Sequence, residues 1–68
     1  MKFRVMAYDG TLEDFDIESD AQVLFNQKKT QVGKAKIIGN IRPSCNIHKC
    51  FHDENPPRPC EIIERMEK

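Results

Sequence analysis

All three cysteines and both histidines of this 68-residue chain fall within one short stretch, Cys45-Asn-Ile-His-Lys-Cys-Phe-His52, closed by Cys60 after a run of prolines. No other feature limits the fold so strongly. A core of this size typically supplies only about 3–5 kcal/mol, and small domains often add a metal, a disulfide or a partner chain. The apolar supply here is modest, with four Phe, one Tyr and no Trp. Five thiol and imidazole groups gathered in one stretch point to Zn2+, which structural sites bind tetrahedrally through thiolates at about 2.3 Å and imidazoles at about 2.0–2.1 Å. The spacing is Cys-x2-His-x-Cys-x-His-x7-Cys. Cys45 and His48 stand at a separation one tight turn can present to a single ion. Cys50 follows two residues on, and Cys60 returns after the prolines. The expected ligands are therefore Cys45, His48, Cys50 and Cys60, with His52 as substitute for His48. Reduced structural thiols and a disulfide are the rival readings. The odd cysteine count weighs against a disulfide framework, and three cysteines make an iron–sulfur cluster a minor option.

The chain is expected to form one α+β domain spanning residues 1–68: a ββαβ part over 1–42 and a Cys/His-rich metal-binding loop over 43–68. Phe3, Val5 and Ala7 alternate with polar or flexible neighbours, as do Phe15 and Ile17, which is the period of half-buried strands. Asp9-Gly10 marks a hairpin between them. A two-residue turn would set Phe3 opposite Asp16 and mix the faces. A three-residue loop, Tyr8-Asp9-Gly10, sets Phe3 opposite Phe15 and, on the other face, Lys2 opposite Asp16, Arg4 opposite Asp14 and Met6 opposite Leu12. Gly10 then takes the left-handed position, where glycine costs least. One buried face makes that register specific.

Ser19 and Gln22 fit a capping box, and Ala21, Leu24 and Phe25 share a helical face, so a short helix is expected from about Asp20 to Lys29. Alternation of Val23 and Phe25 supports a strand there as the rival. Lys34 to Ile41 reads as a third strand ended by Pro43, with a bulge at Gly39. Asn55-Pro-Pro-Arg-Pro59 reads as a stiff, extended spacer that delivers Cys60. Ile62, Ile63 and Met66 share a helical face, and Glu61–Arg65 and Glu64–Lys68 make i, i+4 pairs, so a short terminal helix is expected. A terminal strand from Cys60 to Met66 is its rival, because so short a helix needs docking to persist.

Formal charge is zero overall but unevenly spread: −4 over residues 1–20, +5 over 21–44 and −1 over the remainder. The basic block Lys28, Lys29, Lys34, Lys36 and Arg42 could contact nucleic-acid phosphates. No aromatic residue interleaves it after Phe25, so base stacking is not indicated. The acidic run Glu13-Asp-Phe-Asp16 lacks calcium-loop spacing. The Pro56–Pro59 PxxP pattern fits a spacer better than a docking motif. No apolar run approaches the roughly 18 residues of a membrane span, and the start of the chain lacks a signal-peptide core, so a cytoplasmic protein is expected. Cys50 with His52, or Cys45 with His48, resembles a thiolate–imidazole pair, but catalysis also needs a cleft, for which so short a chain is expected to leave little room. The functional expectation is a non-enzymatic binding module with structural zinc and a protein partner. Nucleic-acid binding through residues 28–42 is the first alternative, and a thiol-based redox protein the second.

Overall fold

The computed structural model describes residues 2–68. β1 (Lys2–Ala7) and β2 (Leu12–Phe15) form the N-terminal hairpin, α1 (Glu18–Lys34) follows, and β3 (Ser44–Phe51) and β4 (Arg58–Glu67) make a second hairpin. The four strands join in one sheet, ordered β2-β1-β3-β4, with every neighbouring pair antiparallel. The helix covers one face of it. The other face is open, giving a two-layer α+β sandwich.

The first hairpin has the register that a single buried face demands. Phe3 lies opposite Phe15, Arg4 opposite Asp14 and Met6 opposite Leu12. Lys2 Nζ reaches Asp16 at 2.7 Å, and Arg4 holds Asp14 through Nε and Nη2 at 2.7 and 3.2 Å. Gly10 closes the loop at φ +91°, the left-handed region where a Cβ is unfavourable. Asp9, within that loop, braces it. Its Oδ1 accepts the Thr11 amide and hydroxyl, and its Oδ2 accepts Lys28 Nζ from the helix at 2.9 Å.

The helix is longer than expected and starts earlier. Ile17, not Ser19, is the N-cap, and no side chain caps it. Glu18 and Asp20 instead set negative charge against the first turn. The helix passes Lys29 because the apolar stripe continues: Ala21, Phe25 and Val32 are all fully buried and lie at i, i+4 and i+11 on one face. They pack against Phe3, Val5, Cys45 and Ile47 in a single core, with Phe15, Leu24 and Met66 at its margin. Lys68 closes the far end, its Nζ donating to the Gly33 carbonyl at 3.1 Å and to that of Ala35. These acceptors lie at the helix C-terminus, where a cation is also favoured by the dipole.

Four further expectations are corrected. Residues 34–41 are not a strand; the helix ends at Lys34, and only a single Ile38–Ile41 bridge forms around Gly39 at φ +60°. The place beside β1 that this segment would have taken belongs to β3, which pairs with β1 from Lys2–Cys50 to Ala7–Cys45. The Cys/His stretch is thus mostly strand rather than loop. Residues 61–68 do not form a helix. The exposed edge of β3 offers backbone partners that an isolated eight-residue helix lacks, so β4 pairs along it from Arg58 to Glu67. The helical ion pairs are accordingly not made: Glu64 bonds Lys29 on α1, and Arg65 bonds Glu67. Finally, the proline segment is no extended spacer. It turns the chain between β3 and β4, with a cis Asn55–Pro56 peptide, and Arg58 and Pro59 already belong to the strand.

Candidate metal centre

β3 is a strand, so its side chains alternate between the two faces of the sheet. Cys45 and Ile47 point to the helix and are fully buried in the core. Asn46, His48 and Cys50 point to the open face. An odd separation of five residues, about 17 Å of strand, therefore parts Cys45 from Cys50 in both direction and distance. One ion cannot bridge them. His48 shares the face of Cys50 but sits roughly 7 Å further along the strand, and its Nε2 is buried without a hydrogen-bond partner.

β4 brings the third thiol back. Two register shifts interrupt its pairing with β3, one between Ile47 and His48 and one between Lys49 and Phe51. At the second shift, Pro59 and Cys60 together oppose Cys50, the two-against-one count of a β-bulge. The register that pairs His48 with Ile62 and Lys49 with Glu61 continues to set Cys60 beside Cys50 on the open face. The Sγ atoms of Cys60 and Cys50 stand 2.9 Å apart, and His52 Nε2 lies 3.0 Å from Cys60 Sγ. All three ligand atoms fall within 4.8 Å of one another.

Cys50, His52 and Cys60 are thus close enough to hold a metal ion. Compared with the set expected from sequence, the geometry keeps Cys50 and Cys60, brings in His52, and leaves Cys45 and His48 apart from the group. Two thiolates on a tetrahedral ion stand roughly 3.8 Å apart, so Cys50 and Cys60 need to open by about 0.9 Å to seat one. Cys60, half-buried on the edge strand, has room to make that shift. Both thiols are free rather than bonded.

The turn that presents His52 is fixed without help from a metal. Glu54 N–H donates to the Phe51 carbonyl at 3.1 Å, closing a turn over His52 and Asp53. Arg58, at the start of β4, lies over the Phe51 ring at 4.0 Å and donates from Nε and Nη2 to the Glu54 carboxylate at 2.8 and 3.2 Å. The aromatic stack and the paired carboxylate hold both ends of the turn together.

Burial, its hydrogen bond to the Cys60 sulfur and the negative charge that sulfur can carry push the Cys50 thiol up to about 11. It is a protonated thiol at neutral pH unless a cation displaces the proton. Burial likewise raises Cys45, although Lys29 opposes the shift. A cleft of about 290 Å³ adjoins the group, lined by Lys2, Arg4, Asp14, Cys50, His52 and Asp53. The expectation that so short a chain leaves little room for a cleft is therefore corrected. The hairpin, the end of β3 and the turn after it line a half-open one.

The basic residues are divided between two segments. Lys28, Lys29 and Lys34 lie on α1, whereas Lys36 and Arg42 lie in the connection to β3. Lys28 is paired with Asp9 and Lys29 with Glu64. Among the described residues no helix is long and apolar enough to cross a membrane. Comparison with known proteins returns no matching family, no matching curated relative and no matching solved structure, so the geometry alone carries the functional argument.

Proposed function

We propose that this protein is a small, non-enzymatic binding module whose β3–β4 hairpin is held by a zinc ion on Cys50, His52 and Cys60, and that its partner is another protein. The convergence of these three ligand atoms within 4.8 Å carries the reading. Zinc suits two thiolates and an imidazole better than the hard, oxygen-seeking cations do. The metal would tie the edge strand and the turn after β3 to the middle of the sheet, adding stability that the small core lacks. Ile62 on the open face is 61% exposed, and Leu12 is 54% exposed at the other edge. Apolar side chains on an uncovered sheet face favour a protein partner over nucleic acid. The pairing of Lys28 and Lys29 with carboxylates weakens the nucleic-acid alternative.

The test is zinc titration of metal-free protein under reducing conditions, followed by native mass spectrometry and thermal unfolding. One bound ion and a raised melting temperature are expected, both lost in Cys60→Ser. A protein that folds identically with and without zinc and retains no ion overturns the reading.

The 2.9 Å approach of Cys50 and Cys60 favours a second reading, a redox pair. Their oxidation would form one Sγ–Sγ bond, releasing two protons and passing two electrons to a low-molecular-weight disulfide, which is reduced to two thiols. A mass loss of two protons on treatment with oxidised glutathione, reversed by dithiothreitol, distinguishes it.

A further inference from the structure

We propose that a metal held by Cys50, His52 and Cys60 keeps its fourth position open to the adjoining cleft, and that this position takes a monodentate thiolate or carboxylate, from a small molecule or a partner side chain. The inference rests on the metal reading above and concerns what that site binds.

Three observations support it. Among the described residues, only three ligand atoms converge at the site. Structural zinc sites close with four protein ligands, whereas sites with three keep a position for water or an incoming ligand. Next, Cys50 and His52 themselves form part of the wall of the 290 Å³ cleft. A ligand entering the cleft thus meets the metal-binding side chains directly. Finally, Lys2 and Arg4 stand on the same wall. A divalent ion with two thiolates and a neutral imidazole carries no net charge, so an anion in the fourth position leaves the centre at −1. Arg4 can offset that charge. It spends two N–H groups on Asp14 and has others to give, because a guanidinium carries five.

The internal competitors are the two carboxylates lining the cleft, Asp14 and Asp53. Asp14 already accepts from Arg4 through both oxygens, and closing the shell with it would break that pair. An outside anion has no such pair to break.

The experiment uses cobalt(II) in the full chain, because its visible spectrum reports coordination directly. Metal-free protein is loaded with Co2+, then titrated separately with acetate, with β-mercaptoethanol and with a short peptide bearing one cysteine. The expected result is a saturable change in the d–d bands with acetate and with at least one thiol. The thiol should also strengthen the sulfur-to-cobalt charge-transfer band by about half, as two thiolates become three. Tighter binding of the small thiol than of the peptide indicates a small-molecule ligand; the reverse order indicates a partner side chain. Arg4→Ala should weaken acetate binding roughly twofold to fivefold while cobalt uptake persists. A spectrum unmoved by every addition overturns the proposal. So does a response that appears only after Asp14→Asn or Asp53→Asn, since an internal carboxylate then holds the fourth position. Failure to take up cobalt at all is seen before any ligand is added; it defeats the underlying metal reading and this proposal with it.

Discussion

His52 Nε2 lies 3.0 Å from Cys60 Sγ, whereas the Nε2 of His48, four residues earlier, is buried without a partner. The two imidazoles are close in sequence but not equivalent, because only His52 lies past the end of β3 in the turn that faces the bulge of β4. His52→Ala should abolish tight metal binding, and His48→Ala should leave it within about threefold of the parent. Zinc competition against a chromophoric chelator measures both. Equal losses from the two substitutions would show that the ligand set is wrong.

Arg58 touches no metal ligand directly, yet it fixes the turn carrying His52 through Phe51 and Glu54. Arg58→Ala should reduce metal affinity by about tenfold, the lower end of what a supporting side chain contributes. Arg58→Lys should recover little, because an ammonium cannot reproduce the stacked, two-pronged contact. Unchanged affinity in both variants would mean that the turn is held by its backbone alone.

These two sites also mark how far the sequence could be read. The first hairpin was legible because its period, its glycine and its charge pairs all agree on one register. The end of the helix is masked in the sequence because Lys28-Lys29 resembles a final turn, although Val32 continues the stripe of Ala21 and Phe25. The remaining differences between sequence pattern and structure share a cause. Residues 34–41 and 61–68 are short segments whose apolar patterns fit either of two structures, and the outcome depends on which strand edge is available. Once β3 takes the place beside β1, it excludes the earlier segment and provides an edge for the later one. The grouping of the ligand candidates differs for the same reason. A loop could have gathered Cys45, His48 and Cys50, but a strand sends Cys45 into the core. The cluster of cysteine and histidine was visible in the sequence, while the choice among its members was not.

The same substitution should act with opposite sign at two glycines. Gly10 has φ +91° and no atom near an added Cβ, so Gly10→Ala is opposed by the backbone alone, at about 1–2 kcal/mol. Gly33 lies in the last turn of α1, also with open space around it. Gly33→Ala should stabilise by about 0.5 kcal/mol, chiefly by restricting the unfolded chain. Urea unfolding of both variants at one fixed metal concentration decides the matter, and two shifts of the same sign would contradict the backbone assignment.

Asp9 should make stability depend on acid in a defined window. The Thr11 hydroxyl, then Lys28, then the Thr11 amide lower its pKa from 3.8 to about 2. A carboxyl depressed by folding stabilises the native state fully above its unfolded value and loses that contribution as pH falls towards the folded one. The affected interval thus runs from about pH 4 down to about pH 2. Its size is modest, because the carboxylate is partly exposed and water screens the Lys28 pair; about 1 kcal/mol or less is expected at neutral pH. Asp9→Asn keeps an oxygen for Thr11 but has no proton to gain in that range. Its stability should therefore fall less steeply than the parent's between those limits, with the two curves converging at the acid end. Asp14, lowered by its bonds to Arg4, titrates in both proteins and cancels in the difference. Denaturant unfolding followed across the interval supplies the two curves. Parallel curves separated by a constant would show that the Asp9 charge contributes nothing to the fold, and that only the shape of the turn around Thr11 matters.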